Sequence, residues 1–165
     1  MQKIFVVEDD GVIAQAIQKE LSAWGYDVQC CRDFEHVLEE FTAFAPQLLL
    51  LDISLPFYNG YHWCQRVREQ SVVPILFISS ASDKMDIVMA MNMGGDDLIS
   101  KPFDLDVLVA KINAIMRRAY AFEEPLRRVD YGDLTLNLEE AALYGREQKI
   151  DLTKNEYRIL LVLML

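Results

Sequence analysis

The stretch 46-PQLLLLDISLPFYNG-60 decides the fold. Four consecutive leucines end on a bare carboxylate, Asp52, and the segment after it closes on Asn59-Gly60. An unbroken apolar run of this kind, without the alternation of a half-exposed strand, suits a parallel strand buried on both faces. Comparable runs lie on either side: 3-KIFVV-7, 27-DVQCC-31, 74-PILFIS-79 and 97-DLIS-100. Helical periodicities separate them. Ile13, Ile17 and Leu21 are spaced by four, with Gly25 placed to stop that helix. Phe34, Val37, Leu38 and Phe41 follow a candidate cap at Asp33. Leu105, Leu108, Val109, Ile112, Ile115 and Met116 form a stripe behind Asp104. Strand–helix alternation of this length predicts an α/β class domain, a doubly wound five-stranded parallel sheet ending near Arg118.

The remainder of the chain reads differently. A linker is expected over 119–128, and 129-VDYGDLTLNLEEAALYGREQKIDL-152 predicts small antiparallel strands with turns near Gly132 and Gly145. In 153-TKNE-156 the Thr hydroxyl and the Glu carboxylate can each take a free amide of a new helix, the pattern of a capping box. That helix runs into ILLVLML and the sequence stops at Leu165, which predicts an unfinished second domain.

Charge and cysteine content exclude several classes. The net charge is −10, from 16 Lys+Arg against 26 Asp+Glu, and no segment has the basic excess of a complete nucleic-acid surface. Cys30, Cys31 and Cys64 show no metal-ligand spacing and are odd in number, which fits a reduced, cytoplasmic setting. Acids appear too early for a signal peptide and no run approaches the length of a membrane span, so no membrane partner is expected. His36 and His62 have no partner at ligand spacing, and the methionines at 85, 89, 91 and 93 read as core and interface filler.

In an open parallel sheet, ligands bind beyond the carboxyl ends of the strands, where strand order reverses. The first strand delivers Glu8, Asp9 and Asp10 to that edge, the third Asp52, and the fourth Ser79 and Ser80; Lys101-Pro102 follows the fifth. Clustered carboxylates repel unless a cation joins them. Oxygen-only ligands in a wet, partly open site favour Mg²⁺ over Zn²⁺ or a closed Ca²⁺ cage. One carboxylate can then act as nucleophile toward a phosphoryl group, while a Lys neutralises the transferring oxygens and a hydroxyl donates to one of them.

The motifs IFVVEDDG, LLLLDISLPFYNG, PILFISSA and DDLISKPF occur in the order found in bacterial two-component response regulators of the OmpR/PhoB type, which the sequence resembles. The resemblance implies a flavodoxin/CheY-like receiver over 1–118, a linker over 119–128 and an incomplete winged-helix DNA-binding domain over 129–165. It implies phosphorylation of Asp52 by a sensor histidine kinase, with Glu8, Asp9, Asp52 and the main-chain carbonyl of Ser54 serving Mg²⁺. Lys101 would take the charge-neutralising role and Ser79 that of the switch hydroxyl. The family's switch aromatic falls at Leu98, which has no ring. Its dimer face, on the fourth helix, fifth strand and fifth helix, falls at Ile87, Asp96, Asp97, Val107, Lys111 and Arg118, with Ile87 and Val107 replacing a charged pair. YHWCQRVR and FDLDVLVAKINA are similar to the BceR/GraR-like branch that answers cell-wall antibiotics and peptides. The implied function is phosphorylation-controlled transcription, with promoter DNA as partner of the full-length form and no metabolic enzyme activity beyond self-catalysed phosphotransfer and slow autodephosphorylation.

Two other readings remain open at this level. Leu98 and the missing recognition helix also fit a receiver that serves only as an interaction or dimerisation module. A Mg²⁺ phosphohydrolase of similar fold would usually place its nucleophile after the first strand with a second acid two residues on, whereas here the isolated acid follows the third.

Overall fold

A computed structural model describes residues 1–80, 84–120, 128–138, 140–145 and 148–164. It divides into two units, Met1–Ala119 and Tyr120–Leu165. In the first, β1 (Lys3–Val7), β2 (Asp27–Cys30), β3 (Leu48–Asp52), β4 (Ile75–Ser79) and β5 (Asp97–Ser100) alternate with α1 (Gly11–Ala23), α2 (Val37–Phe44), α3 (Gly60–Arg68), α4 (Lys84–Asn92) and α5 (Leu105–Tyr120). The sheet is parallel throughout, in the order β2-β1-β3-β4-β5. Strand order therefore reverses between β1 and β3, and the edge beyond their carboxyl ends carries Glu8, Asp9 and Asp52.

Burial follows position in the sheet. Every residue of β3 and β4 is buried, as are the last four of β1, because helices cover both faces. The edge strands β2 and β5 each bury a single residue, Val28 and Ile99. On one face Phe5, Leu49, Leu51, Ile75 and Phe77 pack with Phe41 of α2 and Tyr61, Trp63, Cys64 and Val67 of α3. α5 lays down Leu108, Val109, Ile112, Ile115 and Met116, the stripe expected from its sequence. Each such side chain contributes roughly 1.5–3 kcal/mol on full burial. α1 buries Ala14, Ile17 and Leu21, while Ile13 is half-buried. Gly25, at φ +89°, turns the chain out of that helix as its position predicted.

Some local expectations differ from the structure. α2 begins at Val37, not behind Asp33, and its N-cap residue His36 makes no side-chain cap bond. Asp33 instead accepts from Glu35 N and pairs with His36 Nδ1 at 2.9 Å, which uses up the carboxylate one turn before the helix starts. Of the methionines at 85, 89, 91 and 93, Met93 packs against the core. Met85, Met89 and Met91 are exposed, since the tight approach of α4 to the sheet is made by Ala90, its one buried residue.

The second unit contains an antiparallel sheet, β6 (Arg128–Tyr131), β7 (Leu134–Asn137), β8 (Ala142–Gly145) and β9 (Gln148–Asp151), followed by α6 (Lys154–Met164). A turn at Gly132, φ +60°, joins the first two strands. Gly145 ends β8, and the turn expected after it lies outside the described residues, as do 121–127 of the expected linker. The capping box forms: Glu156 N donates to Thr153 Oγ1 at 3.3 Å and Thr153 N to Glu156 Oε2 at 2.8 Å. This antiparallel sheet and helix are consistent with the start of a winged-helix domain.

Candidate functional site

Three strand ends converge on one cluster. Glu8 follows β1 with its side chain fully buried, and its Oε1 accepts from Asp10 N at 3.0 Å. Asp10 itself turns to α1, accepting from Val12 N and Ile13 N as the helix cap. Asp52 is the last residue of β3 and is 1% exposed; its Oδ1 accepts from Ser54 N at 3.0 Å. Lys101 follows β5. Its main-chain N donates to Ser79 O at 2.7 Å, which fixes the base of the side chain beside the end of β4. Its Nζ then lies 2.8 Å from Asp52 Oδ2 and 2.8 Å from Glu8 Oε2.

Those two contacts are not equivalent. The one to Asp52 is a hydrogen bond, whereas Glu8 Oε2 has ion-pair proximity but no hydrogen-bond partner among the described residues. Burial pushes the Glu8 carboxyl up to about 7, and the charge of Asp52 pushes the same way. The nearby Lys101 ammonium and the hydrogen bond from Asp10 N only partly oppose this. For Lys101, burial alone would lower the ammonium's pKa, but the two carboxylates outweigh it and hold the group above its ordinary value. One cation thus compensates two acids, and one of those acids is incompletely served.

A divalent cation fits this deficit. Asp9 is exposed at the mouth, and one carboxylate oxygen each from Glu8, Asp9 and Asp52 lies within 4.8 Å of the others. Ligands at the roughly 2.1 Å preferred by Mg²⁺ stand about 3 to 4.2 Å apart, so a small inward adjustment would close the set. The donors are all hard oxygens with a solvent-facing side, which suits an ion that keeps several waters. The orphaned Glu8 oxygen is the atom that would gain most.

The close approach of α3 shapes the floor. Gly60 N donates to Ile53 O at 2.8 Å, and a Cβ at Gly60 would stand 2.3 Å from Asp52 O. Asn59 caps α3 by accepting from His62 N. Ser54 is exposed on the loop between them. Ser79 is buried at the end of β4, one position beyond the residue that pairs with Asp52, so register brings it to the same edge.

The other sequence-derived positions lie farther along the sheet. Leu98 is half-buried opposite Phe77 and packs on the core. Asp97 pairs with Lys111 at 2.9 Å, and both line a shallow groove with Val107 and Arg118. Ile87 and Val107 are exposed. Asp96 is engaged within the chain: its Oδ2 accepts from Ile75 N at 2.8 Å and from Arg68 Nη2 at 3.2 Å. Arg68, which the sequence did not single out, also donates to Gly94 O and Val73 O. Nothing local in 61-YHWCQRVRE-69 distinguishes it from the neighbouring Arg66, because its partners are carbonyls far along the chain.

The model of the response regulator receiver domain matches residues 4–113. The response regulator protein GraR of Staphylococcus epidermidis is 43% identical over 163 residues, covering 98% of this chain and 73% of that protein. The solved N-terminal domain of NsrR, described as a lantibiotic response regulator and nisin resistance regulator, is 50% identical with a TM-score of 0.67. It covers 71% of this chain and 99% of its own. DrrB of Thermotoga maritima, an OmpR/PhoB homologue, is 29% identical with a TM-score of 0.63 over 99% of this chain and 72% of its own. The chain belongs to the response regulators of two-component systems and carries their receiver domain.

Proposed function

We propose that Asp52 is the phosphoacceptor of this receiver and that a sensor histidine kinase supplies the phosphoryl group. The observation that carries this is the placement of Lys101 Nζ at 2.8 Å from both Asp52 Oδ2 and Glu8 Oε2, at the switch point of the sheet. Asp52 Oδ2 is the nucleophile. Its other oxygen is held by Ser54 N, so the carboxylate is oriented before a donor arrives. Lys101 neutralises charge gathering on the transferred group, and the Ser79 hydroxyl moves to donate to one of its oxygens. Glu8, Asp9, Asp52 and the Ser54 carbonyl would hold Mg²⁺, which supplies Lewis-acid neutralisation of phosphoryl oxygens when bound.

The change is passed along β4 and β5 to the face made by α4, β5 and α5, where Ile87, Asp96, Asp97, Val107, Lys111 and Arg118 form the homodimer surface. Asp96 must release part of its hold on Arg68 to reach a second copy, and Leu98 transmits by packing alone. In the full-length form, dimerisation places the DNA-binding domains on promoter DNA, in the setting of cell-wall antibiotic or peptide response. No helix among the described residues is long and apolar enough to cross a membrane, and the proposed location is the cytoplasm. Phosphotransfer and slow autodephosphorylation are its only chemistry.

The test is intact mass after treatment with acetyl phosphate, with and without Mg²⁺, on wild type and Asp52→Asn. A metal-dependent phosphoryl adduct absent from the variant is expected. An unmodified wild type, or an adduct retained by Asp52→Asn, overturns the assignment.

A further inference from the structure

The sulfur atoms of the receiver fall into two populations. The thiols are withdrawn: Cys31 and Cys64 are buried and Cys30 is half-buried. Burial pushes the Cys31 thiol up to about 12 and raises Cys30 and Cys64 in the same direction. An oxidant reacts with the thiolate, so these groups are poor targets. A thioether needs no deprotonation, and three thioethers crowd one short helix. Met85, Met89 and Met91 of α4 are 72%, 45% and 37% exposed. Met93, just past the end of that helix, is sheltered: it packs against the core, and its Sδ accepts from Gln65 Nε2 at 3.3 Å. Met116 is buried in α5.

The packing of α4 keeps those three sulfurs in solvent. Ala90 is the one buried residue of the helix, and its main-chain oxygen accepts from Gly95 N at 3.0 Å. A Cβ at Gly95 would stand 2.6 Å from the Phe77 ring, so the turn after α4 is pressed onto β4 and holds Ala90 inward. Met89 and Met91 then flank Ala90 at about 100° to either side of the helix. Met91 stands one turn after Ile87, on the side proposed for self-association, and Met85 stands one turn before Met89 in the next row. Val88, also exposed, lies between the two rows. No charge occurs in 87-IVMAMN-92. The outer face of α4 is therefore apolar and rich in sulfur, a surface that suits an apolar partner while its thioethers stay reduced.

We propose that Met85, Met89 and Met91 form a reversible oxidation site for hydroperoxides, and that their oxidation weakens self-association through α4. This rests on the reading of the α4, β5 and α5 face as the homodimer surface. With hydrogen peroxide the thioether sulfur attacks one oxygen. An S–O bond forms as the O–O bond breaks, and the second oxygen leaves as water with both protons. Sulfur loses two electrons and the peroxide gains them. The sulfoxide is polar where the thioether was apolar. At Met91 it sets a strong acceptor beside Ile87, where a second copy offers apolar side chains, and burying it there without a donor is unfavourable.

The experiment treats the full chain with hydrogen peroxide and locates each added oxygen by peptide mass. Self-association of the acetyl phosphate-labelled protein is then followed by sedimentation, before and after oxidation. The comparison variant carries Met85→Leu, Met89→Leu and Met91→Leu together, which keeps the face apolar and close in volume. Oxygen is expected on Met85, Met89 and Met91 well ahead of Met93, Met116 and the thiols. The dimer dissociation constant should rise about tenfold or more on oxidation, with phosphoryl uptake unchanged, and return when methionine sulfoxide reductases of both epimer specificities are added. The leucine variant should dimerise as wild type does and ignore the peroxide. Oxidation of Met93 or the thiols at an equal rate, a dissociation constant untouched by sulfoxide, or the same loss in the leucine variant each overturns the proposal. A labelled but unoxidised wild type that stays monomeric would remove the homodimer reading, and this proposal with it.

Discussion

Glu8 couples the stability of the folded chain to pH and to a metal at the acidic cluster. Its carboxyl titrates at about 7 in the folded protein against 4.5 for the free group, because burial opposes its ionisation. Between those values the folded chain keeps a proton that the unfolded chain has released. The stability contributed by this group is therefore complete below about pH 4.5 and is lost as pH rises through about 7. A gap of about 2.5 units at about 1.36 kcal/mol each sets a ceiling of about 3 kcal/mol. In a domain of this size that corresponds to a fall in Tm of the order of 10 °C. Mg²⁺ held at the ionised carboxyl, as proposed, should oppose the loss, so its stabilising effect should be larger near pH 8 than near pH 5.

The assay is thermal unfolding across that range, in EDTA and in excess Mg²⁺, for wild type and Glu8→Gln. Glutamine has no proton to lose, so the metal-free slope of the variant should flatten. His36 is also raised, by its hydrogen bond to Asp33, and loses stabilisation in the same direction as pH rises. It is present in both proteins and cancels in the comparison. A Glu8→Gln slope equal to that of wild type, or a Mg²⁺ shift independent of pH in wild type, would refute the reasoning.

Three further outcomes follow from the geometry. Gly60→Ala forces a Cβ against the main-chain oxygen of Asp52; it should cost about 1–3 kcal/mol in denaturant unfolding and slow acetyl phosphate labelling, and a wild-type labelling rate would mean the end of β3 yields freely. Arg68→Ala leaves Val73 O, Gly94 O and Asp96 short of a donor and should cost about 2–4 kcal/mol, with Arg68→Lys recovering less than half because one ammonium cannot span those acceptors. Thr153→Ala breaks the capping box and should destabilise α6 by about 1 kcal/mol, seen as faster amide exchange over 154–157 with the receiver's exchange unchanged.

The fold was legible because its determining signals are local. The buried runs of β1, β3 and β4 need helices on both faces, and α1 and α5 announce their apolar stripes within the window of a single element. Site residues were legible for a related reason: topology places the first residues after each strand on one edge, so Glu8, Asp9, Asp52, Ser79 and Lys101 could be brought together without knowing any distance. What stayed hidden depends on partners distant in sequence or on single backbone angles. Asp33 looked like a cap because a carboxylate before an apolar run usually is one, but His36 and Glu35 N compete for it at closer range. Arg68 is held by main-chain carbonyls of Val73 and Gly94, which no side-chain pattern encodes. Phe57 is the most instructive case. In PFYNG, the Pro and the Asn-Gly pair mark a turn, yet that signal points to Gly60 as the special position and says nothing of a left-handed phenylalanine three residues earlier. The turn there rests on one backbone angle, φ +67° at Phe57, and no side-chain pattern in the sequence reports a single angle.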